Sequence, residues 1–195
     1  MIQQPNSSST QPLPDHARCV FVGKIFKIYQ WEQELFDGTT TVFEKAVRAD
    51  SAGVLAVTDD GKILLSQQEQ PGMRPFKSLL GGVVDAGETP EQSARRELRE
   101  EAGYEAGTIE PWFSVTPFSK IDWTITIFIA KNCKQVGEPV LDSGEKIRVT
   151  PISFAEFLEV VFDPAFRDEE VTNRVLRMLL QPSGKQELQQ LLGAA

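Results

Sequence analysis

The chain has one histidine, two cysteines and no apolar run of membrane-spanning length, and each scarcity closes off a class of function. His16 stands at the edge of a polar N-terminal stretch. The commonest general base is therefore absent from the rest of the chain, and proton transfer falls to carboxylates and metal. Cys19 and Cys133 are too few for a disulfide framework and read as reduced packing residues. A membrane helix needs about 20 apolar residues, and the N-terminus lacks the hydrophobic core of a signal peptide. The expectation is a cytoplasmic protein with no membrane partner. Positive charge is also short, with 20 Lys and Arg against 28 Asp and Glu for a net charge of -8. General nucleic-acid binding needs clustered Lys and Arg, so no nucleic-acid partner is expected. A polyanionic substrate has to be received through metal ions and a few local cations.

The 195 residues are enough for one well-buried domain with a small extension. Residues 1–15 are rich in Gln, Ser, Pro and Asn, a composition that buries too little apolar surface to offset ordering entropy, and they read as a disordered tail. Residues 16–48 read as an N-terminal antiparallel β extension: β-branched and aromatic residues alternate over 19–35, Asp37-Gly38 supplies a hairpin tip, and 40–48 return. Within 49–195, strands are expected at 52–57 and 62–67 about an Asp60-Gly61 turn, then at 110–115 and 123–130. Helices are expected at 151–161, 168–180 and 185–192. Strands on both sides of a central helix, with more helices at the end, imply an α/β sandwich with a mixed sheet.

That central helix is the most informative segment. Thr89 is a good N-cap, Pro90 takes the first helical position, and Gln92 completes a capping box. Gly103 supplies the left-handed stop. Ala94, Leu98 and Ala102 form a small apolar stripe, while Glu97, Glu100 and Glu101 crowd a neighbouring face. Like charges at helical spacing repel by a few tenths of a kcal/mol each, about 0.2–0.5, unless a cation joins them. Mg²⁺ or Mn²⁺ suits such hard oxygen ligands and also takes substrate phosphates. Gly81, Gly82 and Gly87 punctuate the preceding loop, whose backbone can approach another group closely. Acidic helix faces usually just face water, but the flanking letters argue against that here.

Gly82, five residues, Glu88, seven residues, then Arg96, Glu97, Leu98, Arg99, Glu100, Glu101, Ala102, Gly103 and Tyr104 resemble the Nudix box, with all seven fixed letters in place. A chance match in a chain of this length is roughly one in several million at background frequencies. Tyr104 replaces the usual bulky apolar residue. Beyond the box, the layout is similar to the ADP-ribose pyrophosphatase branch of Nudix hydrolases. The resemblance implies an α/β/α Nudix domain with a mixed central sheet, plus an N-terminal β extension commonly used in a homodimer.

The same resemblance implies a reaction: metal-dependent hydrolysis of the diphosphate bond in a small nucleoside diphosphate-X substrate such as ADP-ribose or a nucleotide sugar. It assigns Glu97 and Glu101 as metal ligands, Glu100 as a third, and the Gly81 carbonyl as a neutral ligand, with Mg²⁺ expected and Mn²⁺ able to replace it. Glu88 orients the site by pairing with Arg96. Glu145, in a Gly-Glu-Lys-Ile-Arg-Val stretch, is favoured to take the proton of the attacking water, with Glu100 as the alternative. Arg48, Arg74, Pro117 and Phe118 are the expected substrate contacts. Two stretches depart from the branch: residues 67–71 read QQEQP where an arginine is common, and 78–82 read SLLGG where Glu-Leu-Pro-Ala-Gly is usual. Losing that arginine removes a bidentate phosphate contact. Hydrolysis of dinucleoside polyphosphates or damaged nucleoside triphosphates is the alternative activity. A nucleotide-sensing Nudix domain without turnover is the alternative of another class.

Overall fold

A computed structural model describes residues 11–141, 143–144 and 146–194. In chain order the elements are β1 (Arg18–Val22), β2 (Lys27–Glu34), β3 (Thr40–Val47), β4 (Ser51–Thr58), β5 (Ile63–Glu69), β6 (Phe76–Ser78), β7 (Leu80–Val83), α1 (Pro90–Ala102) and β8 (Tyr104–Glu105). They continue as β9 (Thr108–Val115), β10 (Ile121–Asp122), β11 (Ile125–Gln135), β12 (Lys146–Ile152), α2 (Phe154–Val160), α3 (Glu169–Leu179) and α4 (Gly184–Leu192). The main sheet runs β12-β5-β4-β11-β8, with β6 on β5, β7 on β4 and β9 on β11. It is mixed, since β11 lies parallel to β4 while its other pairings are antiparallel.

Strand β4 decides the layering. Successive side chains of a strand face opposite ways. Ala52, Val54 and Ala56 turn to one face and pack with Ala94, Leu98 and Ala102 of α1. Leu55 and Val57 turn to the other, into a core shared with Phe154 and Phe157 of α2, Val171 and Val175 of α3, and Leu188 and Leu192 of α4. The small residues on the α1 side let that helix lie close to the sheet. The result is the expected α/β/α sandwich, with the acidic helix alone on one face.

The N-terminal strands form a second sheet, β1-β2-β3-β10. The stretch expected as one strand over 19–35 is two, because the chain reverses through a turn closed by Gly23 N–H donating to the Phe26 carbonyl. The Asp37-Gly38 turn connects β2 to β3 as expected, with Gly38 at φ 80°. Parallel pairing of β10 with β3 ties this sheet to the main domain. Lys45, on β3, is buried and donates to the Gln11 carbonyl at 2.6 Å. Gln11 is thus docked; of the residues expected as a disordered tail, 1–10 lie outside the described residues.

A further difference concerns residues 146–152. Pro151 and Ile152, expected to open a helix, instead end β12, which pairs along its length with β5. β12 is an edge strand, where proline is tolerated. The helix starts after Ser153, whose hydroxyl accepts from Glu156 N–H in a capping box. No helix among the described residues is long and apolar enough to cross a membrane.

Candidate active site

Helix α1 is fixed at both ends by the residues read from the sequence. The Thr89 hydroxyl accepts from Gln92 N–H, the Gln92 amide oxygen accepts from Thr89 N–H, and Gly103 takes the left-handed conformation at φ 71°. With its register locked, the exposed side of the helix projects its glutamates toward the β7 loop. Arg96 is the hub of that side. It grips Glu88 with two parallel bonds, Nε to Oε1 at 2.9 Å and Nη2 to Oε2 at 3.1 Å. Its Nη1 donates to Glu97 at 2.8 Å and to Glu100 at 3.0 Å, and Nη2 also reaches the Val83 carbonyl and the Ser93 hydroxyl. This fork geometry is what arginine offers and lysine does not. The bond from Arg96 holds the Glu88 carboxyl below the usual carboxylate range, and Glu88, with Glu100 and Glu97, pushes the Arg96 pKa up in return.

Glu101 sits deeper, only 5% exposed, and accepts from Gly81 N–H at 2.8 Å. A carboxylate taken out of water needs such bonds or a cation. Two glycines make room for this packing. Gly81 has φ 151°, and a side chain there would fall 2.3 Å from the Ala52 carbonyl oxygen. At Gly82 an added Cβ would fall 2.3 Å from Glu97 Oε1. The Glu97 carboxylate therefore lies directly against backbone.

Gly81, Gly82, Val83, Asp85, Arg96, Glu97, Glu100 and Glu101, with Val140 and Leu141, enclose a cavity of about 290 Å³. Asp85, Glu97, Glu100 and Glu101 line the cavity against the single guanidinium of Arg96, so it carries excess negative charge. Among the described residues no three Asp, Glu, His or Cys side chains converge tightly enough to ligate an ion, because Arg96 stands among Glu88, Glu97 and Glu100. The donors nonetheless fit a hard divalent cation in kind, being carboxylate oxygens beside a glycine backbone on one cavity wall. Glu145, expected to activate water, lies outside the described residues.

Comparison with known proteins decides the family. Residues 47–175 match the model of the NUDIX domain. The chain belongs to the NUDIX family. It is 31% identical over 147 residues to an ADP-ribose pyrophosphatase of Bacillus subtilis, covering 73% of this chain and 78% of that protein. It is 28% identical over 171 residues to a methanol dehydrogenase activator of Bacillus methanolicus, covering 85% and 91%. In fold it resembles the crystal structure of an ADP compounds hydrolase, with a TM-score of 0.65 at 20% identity, over 87% of this chain and 94% of that one. This NUDIX protein is accordingly a hydrolase related to ADP-ribose pyrophosphatases.

A larger cleft of about 540 Å³ adjoins the acidic cavity and shares residues 81–83 with it. Of the expected substrate contacts, Arg48 and Phe118 line this cleft. Arg74 is exposed in the turn between β5 and β6 and lines neither cavity; Pro117 is half-buried and lines neither. Arg48 stacks its guanidinium on Trp123 at 4.4 Å, and its buried Nε has no hydrogen-bond partner among the described residues. Trp123 also lies nearly parallel to Phe118, with ring centroids 6.4 Å apart. The sequence reading missed Gln68, Ser78, Arg167 and Asp168 on the cleft wall. Arg167 lies over Phe76 at 3.9 Å. Asp168 Oδ2 accepts from Leu79 N–H at 2.7 Å, and burial pushes its carboxyl up to about 6. The only sequence signal for it was its place just ahead of α3.

Proposed function

We propose that this hydrolase cleaves the diphosphate bond of a nucleoside diphosphate-X substrate, ADP-ribose or a nucleotide sugar, with a divalent metal, giving a nucleoside monophosphate and a sugar phosphate. The observation that carries the reading is the acidic cavity of Glu97, Glu100 and Glu101 sharing the wall at residues 81–83 with a cleft large enough for an organic group. Glu97 and Glu101 would hold Mg²⁺ or Mn²⁺, with Glu100 and the Gly81 carbonyl in support. When bound, the ion supplies charge neutralisation for the diphosphate and acidifies a water.

The chain's own residues do the rest. Arg96 orients Glu97 and Glu100 through Nη1 while Glu88 holds Arg96 from the other side, so all three carboxylates are positioned before substrate arrives. Such preorganisation is the main protein contribution to phosphoryl chemistry. Arg48 brings a guanidinium to the cleft wall and Phe118 an exposed ring, suited to a phosphate oxygen and a base respectively. Glu145, or Glu100 in its place, takes the proton of the attacking water.

The same reading has residues 16–48 as a dimerisation extension, 49–195 as the hydrolase domain, and a homodimer in the cytoplasm. Val20, Phe21, Val22, Ile25 and Val42 are all more than half exposed on or beside β1 and β3, an apolar set that a second copy would bury. Cys19 and Cys133 are free thiols, as in reducing compartments. The test is incubation with Mg²⁺ or Mn²⁺ and a panel of ADP-ribose, nucleotide sugars, dinucleoside polyphosphates and nucleoside triphosphates, with products identified by mass. AMP and ribose phosphate from ADP-ribose support the reading. Cleavage confined to triphosphates contradicts it, as does no turnover on any member. A strict monomer in sedimentation would remove the dimer.

A further inference from the structure

The cleft beside the acidic cavity has two chemically distinct ends. One is aromatic and cationic, built from Arg48, Trp123 and Phe118. The other gathers around Ser78 and Leu79. There Asp168 spends one carboxyl oxygen on Leu79 N–H, and its carboxylate makes no other hydrogen bond among the described residues, although as the N-cap of α3 it could have bonded that helix. Its second oxygen is not sealed away, since among the described residues Arg48 Nε alone is both buried and unpartnered. Gln68 behaves similarly. Its Nε2 donates to Ser66 Oγ at 3.1 Å and to Ser78 Oγ at 3.0 Å, which fixes the amide and leaves its oxygen without a protein donor. Ser66 in turn donates to the Ser78 carbonyl at 2.9 Å.

This wall therefore presents two held acceptor oxygens. An anion is a poor occupant, because three carboxylates, Asp168, Glu169 and Glu170, line the cleft against two guanidinium groups, Arg48 and Arg167. A neutral group with two adjacent hydroxyls matches both acceptors without bringing charge, while a flat base is better served by the exposed Phe118 ring at the other end. We propose that Asp168 and Gln68 form a polyol subsite that binds adjacent hydroxyls of the sugar beyond the scissile diphosphate, making Asp168 a specificity-determining residue. The proposal rests on the nucleoside diphosphate-sugar reading above. Ser66 and Ser78 serve it by holding the Gln68 amide in place.

Asp168→Asn tests it, since asparagine keeps an acceptor for Leu79 N–H but turns the cleft-facing oxygen into a donor. Calorimetry with Mg²⁺ would compare two non-hydrolysable ligands, α,β-methylene ADP-ribose and α,β-methylene ADP, which lacks the second sugar. Wild type should prefer the sugar-bearing ligand, and Asp168→Asn should reduce that preference about tenfold, as for loss of a hydrogen bond to a charged group. Wild type should show a similar loss, without any mutation, for the analogue lacking one hydroxyl of the terminal sugar. A preference that survives in the folded variant overturns the proposal. So does a loss that follows the base, appearing with adenine but not with hypoxanthine. Binding is read without turnover: absent hydrolysis removes the catalytic reading, while a failed preference with intact hydrolysis removes the subsite alone.

Discussion

The two cavities that meet at residues 81–83 are built on opposite principles. In the acidic one, polar groups satisfy each other: Arg96 places its donors on Glu88, Glu97, Glu100, Val83 and Ser93, and Glu101 takes the Gly81 N–H. In the cleft, Arg48 Nε and one oxygen of Asp168 have no partner among the described residues. A saturated network is rigid and holds a fixed geometry, which suits bond cleavage common to all substrates. Groups without a protein partner gain only from a ligand that supplies one, which suits discrimination. The comparison teaches a division of labour in which the helix cuts and the cleft chooses.

The largest effect should come from breaking the acidic side. Glu101→Gln keeps the shape but removes a charge from the cavity, and kcat should fall on the order of a thousandfold. A Mg²⁺ titration by calorimetry should show weaker binding in the same variant. Gly82→Ala comes next. A Cβ 2.3 Å from Glu97 Oε1 must push that carboxylate aside, and a misplacement of about 1 Å costs about a hundredfold in rate. Circular dichroism should show the variant still folded, since the clash falls on the end of a flexible side chain.

The cleft side can be sharpened through pH. The Asp168 carboxyl is raised from 3.8 to about 6 by burial, so the folded state binds its proton more tightly than the unfolded state does. Its contribution to stability is then full below about pH 4 and is lost as pH rises through about 6. Asparagine cannot ionise. The Tm of Asp168→Asn relative to wild type should therefore climb between pH 4 and pH 7, and a flat or falling difference would contradict the burial argument. The smallest effect expected is at the helix cap. Thr89→Ala should cost about 1 kcal/mol, a drop of roughly 2–4 °C in Tm for a chain of this size.

How much of this was legible in the sequence follows the same division. Helix α1, its caps and its glutamates are encoded within some twenty consecutive letters, so local spacing was enough. The α/β/α layering was also anticipated, from the order of strands about a central helix and from the Nudix resemblance, and β4 realises it by turning Ala52, Val54 and Ala56 to one helical layer and Leu55 and Val57 to the other. The cleft was not. Ser66 and Ser78 meet only through pairing of β5 with β6, and Asp168 reaches Leu79 across 89 positions of chain. Strand β12 was misjudged for a related reason: its pairing with β5 lets Pro151 close a strand where local pattern favoured a helix start. Of the two arginines expected to meet substrate, Arg74 is carried to the surface by its turn, while Arg48, just past β3, lines the cleft.

One measurement addresses the division of labour most directly: kcat/KM for wild type, Glu101→Gln and Asp168→Asn across a panel of nucleotide sugars that differ only in the terminal sugar. The account predicts that Glu101→Gln lowers every substrate by a common factor, while Asp168→Asn changes their order. The opposite pattern, with Glu101→Gln reordering the sugars and Asp168→Asn dividing all of them equally, would contradict it.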